Sequence, residues 1–241
     1  MSLCDIGGAQ WYMNIVIAKR FPAGVAMSDS RISIGHGIAM RIYTSLGTNS
    51  RIVDLFLGYK SISIEKVWID ISIKENRQPD FLKKNPLGQL PVLELDNGQC
   101  ISQITAICEY LEELFPEPPL IGGTPEERAV SRMWLRRNDL LIIEPLVQAF
   151  KYSIGLTYYQ ALIHCRPHAV DDLHTIAIQG LEQLSESLES RPWVCGDHFT
   201  LADIQLYCFL AFASNNHQVN IAINAHLASW FDSVNSQLNI N

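Results

Sequence analysis

The first clear pattern along the chain is an alternation of strand-like and helix-like segments that begins at Arg41. Residues 41–43 predict a strand, and residues 49–60 predict a helix capped by Asn49 or Ser50. The apolar face of this helix consists of Ile52, Val53, Leu55, Phe56 and Leu57. Apolar and polar positions then alternate over 63–71, where several residues are β-branched, and this predicts a second strand.

The alternation continues through a short helix, a hairpin and a longer helix. Residues 78–84 predict the short helix, which ends at Asn85-Pro86. Residues 90–101 predict the hairpin, because the Asn-Gly in its turn adopts positive φ values at low cost. Residues 105–115 predict the longer helix. Its apolar side consists of Ala106, Ile107, Tyr110, Leu111 and Leu114. The order β-α-β-α-β-β-α therefore predicts an α/β domain over residues 40–116.

The pattern changes after this domain. Residues 117–124 predict a linker, because the prolines and glycines concentrated there cannot continue a helix. Residues 125–241 predict an all-α domain. Its helices are expected at 125–152, 169–189, 201–212 and 225–237. Pro145 predicts a kink in the first of these helices. Thr200 and Asp203 have the spacing of a capping box at the start of the third, which is a structural feature.

The first 39 residues differ from the rest of the chain. They mix Gly, Ser, Ile and scattered charges without a sustained period of two or 3.6 residues. We expect residues 1–39 to be a flexible extension or the product of a misassigned translation start. The compact fold is then expected to begin at Met40.

Composition and charge narrow the range of functions. The 241-residue chain is 48% hydrophobic and 18% charged, as in a soluble globular protein. Its formal net charge is −7, so its surface does not attract nucleic-acid phosphates or anionic lipid headgroups. No stretch of the sequence has the length and apolarity of a membrane span. We therefore expect neither nucleic-acid nor membrane binding.

The six cysteines indicate a reducing compartment. None has CxxC spacing, which disfavours a glutaredoxin-like oxidoreductase, and several lie among apolar residues, as Cys208 does. Without a secretory signal, this usage is typical of reduced thiols in the cytoplasm. His164, Cys165 and His168 have no second cluster to complete a set of metal ligands, so we expect no metal.

Three motifs, in order, resemble the cytosolic glutathione S-transferase family, and the Thr48-Asn49 pair before an apolar helix resembles its bacterial classes in particular. Residues 85–93, NPLGQLPVL, are similar to the segment that leads to a cis-proline in this family. Residues 101–111, ISQITAICEYL, resemble its strand-to-helix glutathione-binding segment, and residues 196–204, GDHFTLADI, look like its helix-capping motif. The resemblance covers about residues 41–232. It implies a thioredoxin-like N-terminal domain that binds glutathione, followed by an all-α C-terminal domain.

The resemblance also implies a place for each part of glutathione. Leu90 and Pro91, with Gln89 beside them, would pair with the cysteinyl main chain. Gln103 would bind the γ-glutamyl end at the start of the following helix, where unpaired N–H groups attract a carboxylate. Ile104 stands where a hydroxyl residue is usual in the family, and this removes one hydrogen-bond donor.

The glutathione sulfur is expected at the start of the first helix, where the family holds it as a thiolate. The loop there contains no cysteine, which argues against the classes that use a protein thiol at this position. We expect Asn49 to contact the sulfur, with Thr48 as the next candidate. Ser45, Ser50 and Tyr43 are further alternatives for this position.

These features together predict a glutathione transferase that uses glutathione as a co-substrate. Its expected role is to conjugate or reduce small apolar electrophiles in detoxification, and the resemblance implies a homodimer. Two alternatives stay open. One is a non-catalytic binding or dimerisation module, which Ile104 favours, and the other is a glutathione-dependent disulfide reductase. No motif indicates the second substrate.

Overall fold

A computed structural model of the protein describes residues 32–33 and 40–240. The expectation for residues 1–39 lies outside the described residues, except at the short strand Ile32–Ser33. The described residues divide into two compact units, one that ends at Pro119 and one that begins at Leu120. The division falls inside the segment 117–124.

The first unit contains a four-stranded mixed sheet. The described strands of this unit, in chain order, are β1 (Ile32–Ser33), β2 (Arg41–Thr44), β3 (Ile62–Ser63), β4 (Glu65–Trp68), β5 (Val92–Glu94) and β6 (Cys100–Ser102). The main sheet has the order β4-β2-β5-β6. In it, β2 is parallel to β4 and antiparallel to β5, and β5 is antiparallel to β6. The short strands β1 and β3 form a separate parallel pair.

Three helices accompany this sheet, namely α1 (Thr48–Tyr59), α2 (Pro79–Lys84) and α3 (Ile104–Leu114). The predicted apolar face of α1 is confirmed, because all five of its members are buried. The predicted face of α3 is partly wrong, since Ala106 and Leu114 are exposed while Cys108 and Glu112 are buried. The buried face of α3 therefore includes a carboxylate.

Lys60 explains why α3 can bury Glu112. Its ammonium group donates to Glu112 Oε2 at 2.7 Å and to the Pro118 carbonyl oxygen at 2.6 Å. It also lies 5.5 Å from the centre of the Phe56 ring. The pair thus joins the end of α1 to α3 and to the chain that follows α3.

The predicted strand over 63–71 is wrong in its extent. Strand β4 ends at Trp68, and two short 3₁₀ turns follow at Ile71–Ile73 and Glu75–Arg77. Asp70 ends the extended chain, because its carboxylate accepts hydrogen bonds from the N–H and the hydroxyl of Ser72. The β-branched residues beyond this point therefore belong to a turn.

The predicted hairpin is confirmed, since β5 and β6 pair in antiparallel fashion. In its turn only Gly98 has a positive φ, of 82°, whereas the expected turn has two such residues. Asn97 contributes in another way, because its side-chain oxygen accepts a hydrogen bond from the Gln99 N–H at 2.9 Å. This is an Asx turn.

The second unit is all-α, as predicted. Its helices are α4 (Pro125–Asn138), α5 (Glu144–Tyr152), α6 (Leu156–Tyr159), α7 (Val170–Leu188), α8 (Leu201–Asn215) and α9 (Ala225–Gln237). Across the part of the chain that the structure describes, no helix combines the length and apolarity needed to cross a membrane.

A π-helical turn over Asp139–Ile143 separates α4 from α5, where the sequence predicts one helix with a kink at Pro145. Pro145 has no N–H to donate to the Leu141 carbonyl, and the wider turn lies directly before it. The Leu141 carbonyl lies close to Gly180 of α7, where a Cβ atom would meet that oxygen at 2.5 Å. Only glycine allows this close approach.

The predicted capping box at the start of α8 is confirmed. Asp203 is fully buried and accepts hydrogen bonds from the Thr200 N–H and hydroxyl, the Val194 N–H and the Trp230 indole N–H. Burial raises the pKa of the Asp203 carboxyl, and these donors counteract part of the effect. One carboxylate thus connects α8, α9 and the loop before α8.

Candidate functional site

The start of α1 carries no side-chain cap. The helix begins at Thr48, and its N-cap is Gly47 at φ 139°. The prediction that Asn49 or Ser50 caps this helix is therefore wrong, because a glycine in a conformation that other residues rarely adopt begins it earlier. Asn49 is exposed and Thr48 is half-buried. Among the residues that the structure describes, no side chain accepts from the N–H groups of the first turn, so this end of α1 can receive a negatively charged group.

The two serines near this helix start have different roles. The Ser45 N–H donates to Ser50 Oγ at 3.3 Å, and both residues are buried. The Ser50 hydroxyl therefore holds the loop after β2. Ser45 Oγ is buried and has no hydrogen-bond partner among the described residues, so its hydroxyl is a free polar group beside the helix start.

The Tyr43 side chain is held by contacts with Glu94 of β5 and with two residues of α2. Its hydroxyl donates to Glu94 Oε2 at 2.6 Å, and its ring packs edge-on against Phe81. Lys84 donates to the other Glu94 oxygen at 2.8 Å and lies 4.7 Å from the centre of the Tyr43 ring. These hydrogen bonds from Lys84 and Tyr43 lower the pKa of the Glu94 carboxyl. Because Glu94 engages the Tyr43 hydroxyl, the geometry argues against Tyr43 as a thiol contact.

The segment before β5 is held by the side chain of Asn85. The side-chain Nδ2 of Asn85 donates to the backbone carbonyl oxygen of Gln89 at 2.8 Å. The backbone carbonyl oxygen of Asn85 accepts a hydrogen bond from the Gly88 N–H at 2.8 Å. The Leu90–Pro91 peptide bond is cis, as the resemblance implies. The Leu90 N–H and carbonyl make no hydrogen bond to any part of the chain that the structure describes. They are free to pair with an extended ligand backbone.

The start of α3 is open in the same way as that of α1. The helix begins at Ile104, and its N-cap is Gln103 at φ 78° and ψ 129° with no side-chain cap. A non-glycine residue in this region of φ costs about 1–3 kcal/mol, so the fold maintains an unfavourable backbone here. The N–H groups of the first turn carry the partial positive charge of an eleven-residue helix.

The sheet register brings these three segments to one edge. Tyr43 lies opposite Val92, and Val92 lies opposite Ser102. The chain that leaves β2 therefore runs beside the segment 89–91 that enters β5, and Gln103 follows on the other side. Gln103 Nε2 donates to Gln89 Oε1 at 3.5 Å. The predicted residues 89–91 and 103–104 are thus neighbours, and the loop to α1 leaves the same edge.

Two family models match the chain. The glutathione S-transferase N-terminal domain matches residues 48–114, and the glutathione S-transferase C-terminal domain matches residues 167–233. Together they account for more than half of the chain. The chain belongs to the glutathione S-transferase family. Members of this family use glutathione as a co-substrate.

Individual relatives agree with this membership. "Glutathione S-transferase 2" of Saccharomyces cerevisiae is 35% identical over 153 residues, which are 63% of this chain and 65% of that protein. The chain thus matches slightly less than two thirds of that relative's length. "Maleylacetoacetate isomerase" of Pseudomonas aeruginosa is 29% identical over 170 residues, 69% of this chain and 78% of that protein. A solved glutathione S-transferase domain-containing protein from Marinobacter aquaeolei superposes with a TM-score of 0.78 at 31% identity, over 83% of this chain and all of that chain.

One residue that holds the candidate site together is not predicted as such from the sequence, although the sequence contains a signal for it. Asn85 positions the main chain of Gln89 through a side-chain hydrogen bond, whereas the sequence analysis gives it only as a helix end and as the first residue of the 85–93 motif, without a role of its own. The Asn-Pro pair is the signal, because an asparagine at a turn often bonds to the backbone that follows it.

Among the described residues, the cysteines and histidines form no metal site. Within residues 40–240 no three His, Cys, Asp or Glu side chains converge in a manner that could hold a metal ion. Five cysteines in this range are free thiols. Burial raises the pKa of Cys195 to about 11 and raises that of Cys108 further. Neither thiol is a nucleophile at neutral pH.

Proposed function

We propose that this chain is a glutathione-dependent transferase, which conjugates or reduces small apolar electrophiles through a stabilised glutathione thiolate. Family membership supports the use of glutathione. The observation that carries the proposal is the open, strained start of α3 at Gln103, next to the unpaired main chain of Leu90. An unfavourable φ kept at an uncapped helix start is typical of a site for an anionic ligand.

Each part of glutathione has a proposed contact at this edge of the sheet. The cysteinyl main chain pairs with the Leu90 N–H and carbonyl beside Pro91. The γ-glutamyl carboxylate lies at the start of α3, where the Gln103 side chain and the N–H groups from Ile104 onward donate to it. Gln89 supports Gln103 through the hydrogen bond between their amides. Ile104 supplies only its backbone N–H.

The glutathione sulfur lies at the open start of α1 in this proposal. Asn49 and Thr48 are the proposed contacts. The Ser45 hydroxyl is the alternative, and its lack of a hydrogen-bond partner among the described residues supports it. Donors there favour the thiolate over the thiol, and each unit by which the thiol pKa falls corresponds to about 1.4 kcal/mol. The sulfur electron pair then forms a bond to the electrophilic atom, and the leaving group departs with the former bonding pair.

We further infer that the protein acts in the cytoplasm, in detoxification, and as a homodimer. Support for the homodimer comes from a stripe of exposed apolar side chains at helical spacing, formed by Val130, Met133 and Leu140, which are 38–50% exposed. A second copy of the chain would cover this stripe. Light scattering coupled to size exclusion measures the oligomeric state, and a Met133→Glu variant is expected to shift it toward the monomer.

Calorimetric titration of reduced glutathione into the full chain tests the proposal. We expect binding with a dissociation constant between micromolar and low millimolar, weakened several-fold in Gln103→Ala. Activity on 1-chloro-2,4-dinitrobenzene then supports a transferase, whereas activity confined to hydroxyethyl disulfide supports a disulfide reductase. Absence of binding at ten millimolar glutathione would sink the glutathione-dependent mechanism and leave the non-catalytic module.

The thiol contact is identified by three matched variants. Asn49→Ala, Thr48→Val and Ser45→Ala each remove one polar group near the start of α1. The ultraviolet absorbance of the thiolate, followed against pH, reports the pKa of bound glutathione in each variant. The residue whose loss raises this pKa by a unit or more is the contact, and the other two variants serve as controls.

A further inference from the structure

Two side chains from the turn after β4 hold the chain that leads to Leu90. Asn76 Nδ2 donates to the Gly88 carbonyl oxygen at 2.7 Å, across twelve positions of the sequence. Arg77 Nη1 donates to the Leu87 carbonyl oxygen at 3.0 Å, across ten positions. The Asn76 bond is partly buried and the Arg77 bond is exposed, so water competes less with the first.

A third side chain completes the set. Asn85 donates to the Gln89 carbonyl oxygen, so the carbonyls of three consecutive residues, 87–89, each accept a hydrogen bond from a side chain. We call these three hydrogen bonds the carbonyl clamp. The segment cannot shift without breaking at least one of them, and its next residue is Leu90.

Gly88 shows how closely the turn approaches this segment. It is buried and has a φ of 62°, a conformation that favours glycine. A Cβ atom at this position would meet the backbone oxygen of Asn76 at 2.8 Å and Arg77 Nη1 at 2.9 Å. Any other residue would therefore force the turn and the segment apart. The Asn76 hydrogen bond depends on a glycine at its acceptor.

The turn that carries Asn76 is in turn anchored to the sheet. The Ile69 N–H donates to the Thr44 carbonyl oxygen at 2.9 Å, which adds one hydrogen bond to the end of the β2–β4 ladder. The Asp70 N–H then donates to Glu75 Oε2 at 2.7 Å, and the Glu75 N–H donates to the Asp70 carbonyl oxygen at 3.1 Å. This reciprocal pair closes the turn directly before Asn76, so the sheet edge determines where its side chain lies.

We propose that Asn76 is a positioning residue for glutathione, which acts through the main chain of Gly88 on the Leu90 pairing site. The proposal rests on the proposed function, because glutathione is the ligand that pairs with Leu90. Ordering a backbone costs free energy, and a ligand binds more weakly when that ordering must accompany binding. Asn76 makes its hydrogen bond within the chain itself, so this cost does not fall on glutathione. Asn76 needs no contact with the ligand.

Calorimetric titration of reduced glutathione into the full chain tests the proposal. Asn76→Ala should raise the dissociation constant about three- to tenfold, because the Gly88 carbonyl loses its donor. Asn76→Asp keeps the shape of the side chain but removes the donor, and should weaken binding at least as much. Circular dichroism of each variant excludes misfolding as the cause of a loss.

Two control variants match these changes. Gln78→Glu introduces the same negative charge two residues further on, at an exposed side chain without a hydrogen bond among the described residues. Asn97→Ala removes another hydrogen bond between an asparagine side chain and the backbone, in the turn at the opposite end of the β5–β6 hairpin. Both controls should keep the affinity for glutathione within about twofold of that of the unmodified chain.

Steady-state kinetics separates positioning from a merely structural role. With 1-chloro-2,4-dinitrobenzene, or with hydroxyethyl disulfide if only that is turned over, Asn76→Ala should raise KM for glutathione by the same factor as the dissociation constant. We expect kcat and KM for the second substrate to stay within about twofold, because the chemistry after binding is unchanged. A loss of folded protein would instead lower kcat and leave both KM values as they were.

Hydrogen exchange tests the clamp without glutathione. The amide groups of residues 85–93, followed by mass spectrometry, should exchange faster in Asn76→Ala than in the unmodified chain, because the segment opens more often. Asn97→Ala should leave exchange in these residues unchanged. Faster exchange over the whole chain in Asn76→Ala would show a general loss of stability and would contradict the proposal.

The affinities decide between the remaining outcomes. The proposal is supported if the two Asn76 variants weaken glutathione binding, the two controls do not, and exchange accelerates only around residues 85–93. It is overturned, while the proposed function stands, if the unmodified chain and Asn76→Ala bind glutathione equally, or if Asn97→Ala weakens binding as much. If the unmodified chain binds no glutathione at about ten millimolar, the proposed function fails and the role of Asn76 fails with it.

Discussion

Lys60 Nζ lies 2.7 Å from Glu112 Oε2, and both side chains are more than nine-tenths buried. A buried ion pair contributes little net stability compared with apolar residues of the same volume, because both ions must be desolvated. The loss of one partner is different, since it leaves the other charge buried without its counter-ion. This pair therefore couples the stability of the end of α1 to the stability of α3.

The first prediction concerns this pair. Lys60→Met should lower the free energy of unfolding by about 3–5 kcal/mol, because Glu112 then lacks its cation. The double variant Lys60→Met/Glu112→Leu should recover most of that loss. Urea unfolding followed by circular dichroism measures both values. Lys66→Met is the control, since Lys66 pairs with Asp54 at the surface and its loss should cost less than about 1 kcal/mol.

The second prediction is a gain of affinity at the start of α3. Ile104→Ser restores the hydroxyl donor that is usual in the family, and we expect glutathione to bind about five- to tenfold more tightly. Calorimetric titration measures the change. Leu114→Ser replaces an exposed apolar residue at the other end of the same helix and should leave the affinity unchanged. An equal affinity in Ile104→Ser and the unmodified chain would contradict the proposed position of the γ-glutamyl group.

The third prediction separates stability from binding at Gln103. Gln103→Gly relieves the unfavourable φ of 78°, so the free energy of unfolding should stay level or rise by about 1 kcal/mol. The same variant loses the amide, and glutathione affinity should fall several-fold. Unfolding and calorimetry on one preparation check both parts. A fall in both quantities would show that the Gln103 side chain has a mainly structural role.

The fourth prediction follows from the buried thiol of Cys195. Its pKa of about 11 lies above that of an unfolded thiol, so the folded state favours the uncharged form. The stabilising contribution is complete below about pH 8.5 and is lost as the pH rises toward 11, by up to about 3 kcal/mol. Unfolding of the unmodified chain and of Cys195→Ala between pH 8 and 11 measures it as a difference. If the free energy of unfolding has the same pH dependence in Cys195→Ala as in the unmodified chain, the thiol does not contribute and the prediction is wrong.

Strong periodicity accounts for the elements that the sequence predicts well. The apolar face of α1 and the bounds of α9 follow directly from repeats of three and four residues. The face of α3 does not, because a carboxylate on an apolar side counts as exposed until its partner is known. That partner, Lys60, lies 52 residues away along the chain. Long-range pairs of this kind have no local signal.

The candidate site likewise has one part that the sequence predicts and one part that it does not. The family resemblance implies that Gln89, Leu90 and Gln103 serve one site, and the short hairpin between them does bring Gln89 and Gln103 together. The geometry at the start of α1 does not follow from the local sequence. Gly47 begins this helix through a positive φ that no side-chain pattern encodes, and nothing in the local pattern indicates that Ser45 is buried. The thiol contact therefore stays a prediction among three residues.

The π-helical turn before Pro145 has a consequence for how the chain can change over evolution. Five residues complete this turn where an α-helix would use four, so the residues of α5 are offset by one position. Deletion of one residue from the turn would rotate α5 by about 100°, and Leu146, Ala149 and Phe150 would leave their buried positions. The helical unit therefore tolerates substitutions between Asn138 and Pro145 much better than any change in the number of residues there.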